Sequence, residues 1–190
     1  MDYKIKDYPE THSCTVAIIG LGYVGLPLAL AFSRKQKSFL SGIYLDRKVI
    51  GFDINTKRIE ELKKGYDRTN EISKKDLLSA DFYAMTTDIS VIAKADVFII
   101  TVPTPINEEK KPDLIPLKKA SETVAKALKI RSKKKNKTIP IVIYESTVYP
   151  GTTEEICIPL IEKKSGLFCN EKYEENNFAC GYSPERINPG

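Results

Sequence analysis

The stretch Thr15-Val-Ala-Ile-Ile-Gly20-Leu-Gly22-Tyr-Val-Gly25 decides the fold. Its first five residues form a short β-branched, apolar run ending at a glycine, the pattern of a strand buried on both faces. Its last six are G-x-G-x-x-G. Short glycine patterns arise by chance, but this one has the strand before it and helical composition after it, from Val24 to Arg34. Pro27 falls in the first turn of that helix, where a missing N–H costs little. Each glycine then has a task. Gly20 allows the tight reversal, Gly22 lets a pyrophosphate approach the backbone, and Gly25 lets helix and strand pack closely. The N–H groups and positive dipole end of the helix N-terminus face the phosphates.

Outward from this motif, Lys48–Phe52 is the next strand, and Asp53 stands at its end. It lies further past Gly25 than the usual ~20 residues. The irregular segment Gln36–Arg47, with Phe39, Leu40, Ile43, Tyr44 and Leu45, explains the excess, and it is expected to pack on the domain surface. An acid at this position accepts from the ribose hydroxyls and repels a 2′-phosphate, which favours NAD over NADP. Arg58, one turn into the following helix, argues the other way, because an arginine there can take a phosphate. Further on, helices and strands keep alternating. Strands are expected at Phe82–Thr86, Asp96–Thr101, Ile139–Tyr144 and Phe178–Tyr182. Helices are expected at Asn55–Lys64, Ser73–Ala80, Ile89–Lys94, through Leu117–Leu128, and from Thr152 to Lys164. Unbroken apolar strands between helices predict an α/β fold: a Rossmann-like, doubly wound parallel sheet flanked by helices.

Composition narrows the function classes. The chain is 42% hydrophobic and 29% charged, which argues against disorder, and no apolar run is long enough to span a bilayer. The net charge of +5 equals the contribution of Arg131, Lys133, Lys134, Lys135 and Lys137. No aromatic residue interleaves there to stack on bases, so the run is expected to be a solvated turn. No nucleic-acid or membrane partner is expected. Cys14, Cys157, Cys169 and Cys180 form no C-x-x-C pair, so no metal site is expected and the thiols are read as inert. The lone His12 offers no Ser-His-Asp or Cys-His chemistry. Residues 1–13 read as a polar tail without a signal-peptide core, which predicts a cytoplasmic protein.

The motifs taken in order resemble the nucleotide-sugar 6-dehydrogenases, the UDP-glucose and GDP-mannose dehydrogenase family. They are Gly20–Pro27 (GLGYVGLP), Gly51–Asn55 (GFDIN), Val102–Ile106 (VPTPI), Pro112–Leu117 (PDLIPL), Glu145–Glu154 (ESTVYPGTTE) and Gly181–Gly190 (GYSPERINPG). Gly65–Ile72 (GYDRTNEI) and GYSPERINPG look most like the branch acting on UDP-N-acetylhexosamines. The resemblance implies oxidation of a sugar C6 hydroxymethyl to a carboxylate by two NAD, through a cysteine-bound intermediate. It implies that Gly20, Gly22, Tyr23, Val24 and Gly25 hold the pyrophosphate, that Asp53 binds the ribose, and that Arg58 flanks the adenosine. Val102, Pro103, Thr104 and Ser146 would line the cofactor. Thr147 would position the reacting water, and Glu185 would assist proton transfer or thioester hydrolysis. It further implies that residues 14–190 are the N-terminal NAD-binding part of a longer, homo-oligomeric enzyme. The nucleophilic cysteine, the central helix and most of the UDP-sugar site would lie beyond Gly190, leaving this chain inactive alone. Two alternatives remain open: a UDP-glucose or GDP-mannose enzyme, and a non-catalytic NAD-sensing module.

Overall fold

The computed structural model describes residues 7–106, 112–134, 138–169 and 177–184. Its centre is β1 (Thr15–Ile19), whose residues beyond Thr15 are all buried. The chain continues through α1 (Gly25–Ser33), a hairpin of β2 (Gln36–Lys37) and β3 (Tyr44–Leu45), and β4 (Lys48–Phe52). Next come α2 (Thr56–Lys63), α3 (Lys74–Ser79), β5 (Ala84–Thr86), α4 (Ile89–Ile92) and β6 (Val97–Ile100). The long α5 (Ile115–Ser132) leads to β7 (Ile141–Tyr144), a π-helical turn at Thr152–Cys157, α6 (Ile158–Ser165), β8 (Phe168–Cys169) and β9 (Asn177–Tyr182). Among the described residues the main sheet has seven strands in the order β5-β4-β1-β6-β7-β9-β8, and every pairing in it is parallel.

Successive residues of β1 enter opposite cores. Val16 and Ile18 pack with Leu26, Ala29, Val49, Ile59 and Leu62 on the α1–α2 side. Ala17 and Ile19 pack with Phe98, Val124, Leu128, Val142 and Phe178 on the α5–α6 side. That period-two division is why the strands are apolar at every position. From β1 the chain winds first to β4 and β5, then returns to β6 and β7 on the other side. A crevice therefore opens at the carboxyl ends of β1 and β6, where ligands bind in such sheets.

Four details depart from the sequence reading. Gln36–Arg47 does not lie down on the domain; it stands up as the β2–β3 hairpin, with Phe39 and Leu40 fully exposed. The helix expected from Thr152 opens as a π-turn after Gly151, whose φ is +87°. Arg131 is no part of a solvated turn. It is buried in α5, with Nη2 on Asp96 at 2.8 Å and Nε donating to the Ala95 carbonyl at 2.9 Å. The tail is also partly structured, since Asp7 bridges to Thr138 and Asp46 N–H donates to the His12 carbonyl at 2.8 Å.

Candidate functional site

The glycine turn sits at the crevice, and its geometry divides the three glycines by task. Gly20 has φ +100°, a conformation that a side chain would strain. A Cβ at Gly25 would lie 1.9 Å from the Gly20 carbonyl oxygen and 2.4 Å from Thr101 Oγ1, so helix and turn leave no room there. A Cβ at Gly22 would meet no atom of the described residues within 4 Å beyond its own chain neighbours. Folding therefore forbids a side chain at Gly25, whereas at Gly22 the space is free for something else to occupy.

Side chains from neighbouring elements lock the turn. Thr101, just past β6, donates its hydroxyl toward the Gly20 carbonyl at 2.8 Å and the Ile19 carbonyl at 3.2 Å. Asp53 Oδ2 accepts from Leu21 N–H and Oδ1 from Asn55 N–H, both at 2.9 Å. Asn55 in turn caps α2 by accepting from Arg58 N–H. Each Asp53 oxygen keeps a second lone pair for a ligand.

Arg58 is placed beneath the turn rather than beside an open ribose pocket. It is 4% exposed, and its Nε donates to the Leu21 carbonyl at 2.9 Å. Its Nη2 pairs with Asp67 Oδ1 at 2.8 Å. Burial alone would raise the Asp67 carboxyl. The hydrogen bonds from Thr69, Arg58 and the N–H groups of Ile72 and Thr69 prevail and hold it below the usual range. Among the described residues, Arg58 Nη1 has no hydrogen-bond partner, and it is buried.

Two adjoining recesses open on this rim. The larger, about 300 Å³, is lined by Gly20, Gly22, Asp53, Val102, Pro103 and, from α5, Lys119 among others. The smaller, about 120 Å³, is lined by Gly22, Tyr23, Val24, Val102–Thr104 and Glu145–Thr147. Thus the described residues expected to bind the cofactor, other than Gly25 and Arg58, border these recesses. The loops after β6 and β7 are laced together: Ser146 Oγ donates to the Val102 carbonyl at 2.8 Å, and Thr104 Oγ1 to the Thr147 carbonyl at 2.7 Å. Thr147 itself is exposed at the smaller recess. Glu185 lies outside the described residues. Sequence reading missed Thr101 and the α5 wall of Pro116, Lys119, Ala120 and Thr123. A hydroxyl residue directly after an apolar strand was the available signal for the first.

The rim fits a dinucleotide on its own evidence: open space at Gly22 and an acid at the end of β4 that fixes the turn. No thiol offers a nucleophile there. Cys14 and Cys157 are buried, and Cys180 is pushed up to about 12 by burial and by the neighbouring Cys169. Among the described residues no group of three or more His, Cys, Asp or Glu side chains could hold a metal ion. Fold and rim thus define a dinucleotide-binding α/β domain.

Residues 14–190 match the model of the UDP-glucose/GDP-mannose dehydrogenase family, NAD binding domain, and the chain belongs to that family. It is 51% identical to the UDP-N-acetyl-D-glucosamine 6-dehydrogenase of Pseudomonas aeruginosa, over 92% of this chain and 36% of that protein. It is 50% identical to protein CapL of Staphylococcus aureus, over 92% of this chain and 35% of CapL. The chain therefore spans about a third of the length of these curated relatives. Among solved structures it resembles the UDP-D-ManNAc dehydrogenase of Pyrococcus horikoshii, with a TM-score of 0.68 and 33% identity over 93% of this chain and 37% of that one.

Proposed function

We propose that this chain is the NAD-binding part of an enzyme that oxidises the C6 hydroxymethyl of a UDP-N-acetylhexosamine to a carboxylate. The observation that carries the reading is the contrast between Gly25, closed by the protein's own atoms, and Gly22, open to the recess. The roughly 50% identity to relatives named for UDP-N-acetyl-D-glucosamine supports the substrate class. A cytoplasmic enzyme is the matching setting, and residues 14–190 would act as one unit of it.

Bound NAD would supply the hydride acceptor for each oxidation. The chain's own residues have separate tasks. The turn from Gly20 to Gly25 presents the α1 N-terminus to the pyrophosphate, with backbone N–H groups and the helix dipole as the attraction. Asp53, fixed by Leu21 and Asn55, accepts from the adenosine ribose and repels a 2′-phosphate. Asp67 neutralises Arg58, so this arginine does not offer a free charge to NADP. Instead Arg58 holds the turn through Leu21. Val102 and Pro103 give an apolar wall, while Ser146 and Thr104 hold the two loops at fixed separation. Thr147 would orient a water at the reacting end, and Glu185 would move the proton.

The test is NADH release by the enzyme carrying this domain, offered UDP-N-acetylglucosamine or UDP-glucose. At least about tenfold higher kcat/KM for the acetamido sugar is expected, a difference of ~1.4 kcal/mol in transition-state binding. Equal efficiency would contradict the substrate assignment.

A further inference from the structure

The rim opposite the recesses carries a feature that the cofactor reading does not use. The β2–β3 hairpin rises between the end of α1 and the start of β4, at the amino-end rim of the sheet. It closes on itself, with Ser38 N–H donating to Ile43 and Gly42 N–H to Ser38, each at 2.8 Å. At its tip Phe39 is 101% and Leu40 95% exposed, and Ile43 and Tyr44 are about half exposed. Its base is held to the domain by the Asp46–His12 backbone bond, by Arg47 Nε on the Thr11 carbonyl, and by Arg47 over the Phe32 ring.

Exposed cations lie toward the base of this apolar tip. Lys37 is exposed in β2, Arg34 at the end of α1 and Lys48 at the start of β4, and Lys48 and Lys94 both approach the half-exposed Tyr83 ring. Nearby acids offset part of this charge. Asp46 and Asp81 share Lys35 at 3.4 and 3.0 Å, and Asp76 is held by Ser73 at the start of α3. Glu10 lies 3.8 Å from His12. Lysines in last helical turns, such as Lys63 or Lys129, are explained by the helix dipole. Lys37 and Lys48 lie in strands, so that explanation does not reach them.

We propose that this arm docks the domain on an anionic lipid surface, Phe39 and Leu40 entering the headgroup boundary while the flanking lysines and arginines meet the lipid charge. A protruding apolar tip with cations at its base matches such a surface in shape and sign, and lysine stems lie along the boundary with their charges outward. The docked rim faces away from the recesses, so cofactor access stays open. No helix among the described residues can cross a membrane, and the arm needs none: it lies on the surface rather than spanning it. The expectation of no membrane partner came from the lack of an apolar span and from the basic run near Arg131, not from this hairpin.

Co-sedimentation of the chain with phosphatidylcholine vesicles, with and without about a third phosphatidylglycerol, tests this. Binding is expected only to the anionic vesicles, with the partition constant falling about tenfold from low to high salt. It should also fall about tenfold or more in the double variant Phe39→Ser, Leu40→Ser. Because the chain has no tryptophan, Phe39→Trp gives a single reporter whose emission should shift to the blue on the anionic vesicles. No binding at low salt, binding indifferent to the double variant, or an unshifted indole emission from the Phe39→Trp variant would overturn the proposal. So would a concentration-dependent dimer that the double variant abolishes in the absence of vesicle binding, which would make a second copy the occupant.

Discussion

At the carboxyl-end rim of the sheet, side chains bond the backbone of neighbouring loops; at the amino-end rim, the hairpin bonds mostly to itself. Thr101 holds Gly20, Asp53 holds Leu21, Ser146 holds Val102 and Thr104 holds Thr147. By contrast, residues 38–43 of the hairpin close on one another, and Phe39 and Leu40 stand in solvent. The difference teaches where rigidity is built in. A rim that receives a ligand against its backbone needs each carbonyl and N–H held in place before the ligand arrives. An arm that offers only apolar side chains does not.

Substitutions should divide along the same line. The largest effect is expected at Gly25→Ala, whose Cβ has no space between the Gly20 carbonyl and Thr101. A loss above about 3 kcal/mol, measured by denaturant unfolding, follows from overpacking against backbone. Arg58→Met comes next. It strands the buried Asp67 carboxylate, and a cost of about 3–5 kcal/mol is expected. The same pair sets an acid limit. A carboxyl held low in the folded state contributes stability above its unfolded value of about 4, and that contribution disappears as pH falls through the lower folded value. Stability should thus drop steeply below about pH 4, and Asp67→Asn should flatten that limb of the pH–stability curve.

Thr101→Val should cost about 1–2 kcal/mol by removing the hydroxyl that spans Ile19 and Gly20, with Thr101→Ser restoring most of it. A thermal midpoint unchanged in Thr101→Val would show that the lock does not hold the turn. The smallest effect belongs to the other rim: Phe39→Ser with Leu40→Ser should change unfolding free energy by no more than about 0.5 kcal/mol. A larger loss would mean that the hairpin tip packs against the domain, and the contrast between rims would fail.

The rim with the laced loops is also the one legible in the sequence. G-x-G-x-x-G after an apolar strand, and an acid after the next strand, are constrained by backbone geometry and ligand chemistry, so residue type reveals place. The order of elements was legible for the same reason, since strands buried on both faces leave continuous apolar runs. Gln36–Arg47 was not. Its apolar residues predict burial on the usual one-way rule, and nothing local distinguishes a packed flap from a projecting hairpin. Arg131 failed in the opposite direction: a member of a basic run is assigned to solvent, yet Asp96, distant in sequence, draws it into the interior. Arg58 shows the same limit, because its partner Asp67 arrives from a loop beyond α2. Long-range charge pairing carries no local pattern.

The most direct measurement is a calorimetric titration of this chain with NAD and NADP, run beside Gly22→Val. Because a Cβ at Gly22 meets no atom of the described residues within 4 Å beyond its chain neighbours, the variant should unfold at the same denaturant midpoint as the parent. The parent should bind NAD at least about tenfold more tightly than NADP, and Gly22→Val should lose NAD by more than about a hundredfold. An unaltered NAD affinity in a folded Gly22→Val, or no heat from the parent at millimolar NAD, would contradict the placement of the cofactor on this turn.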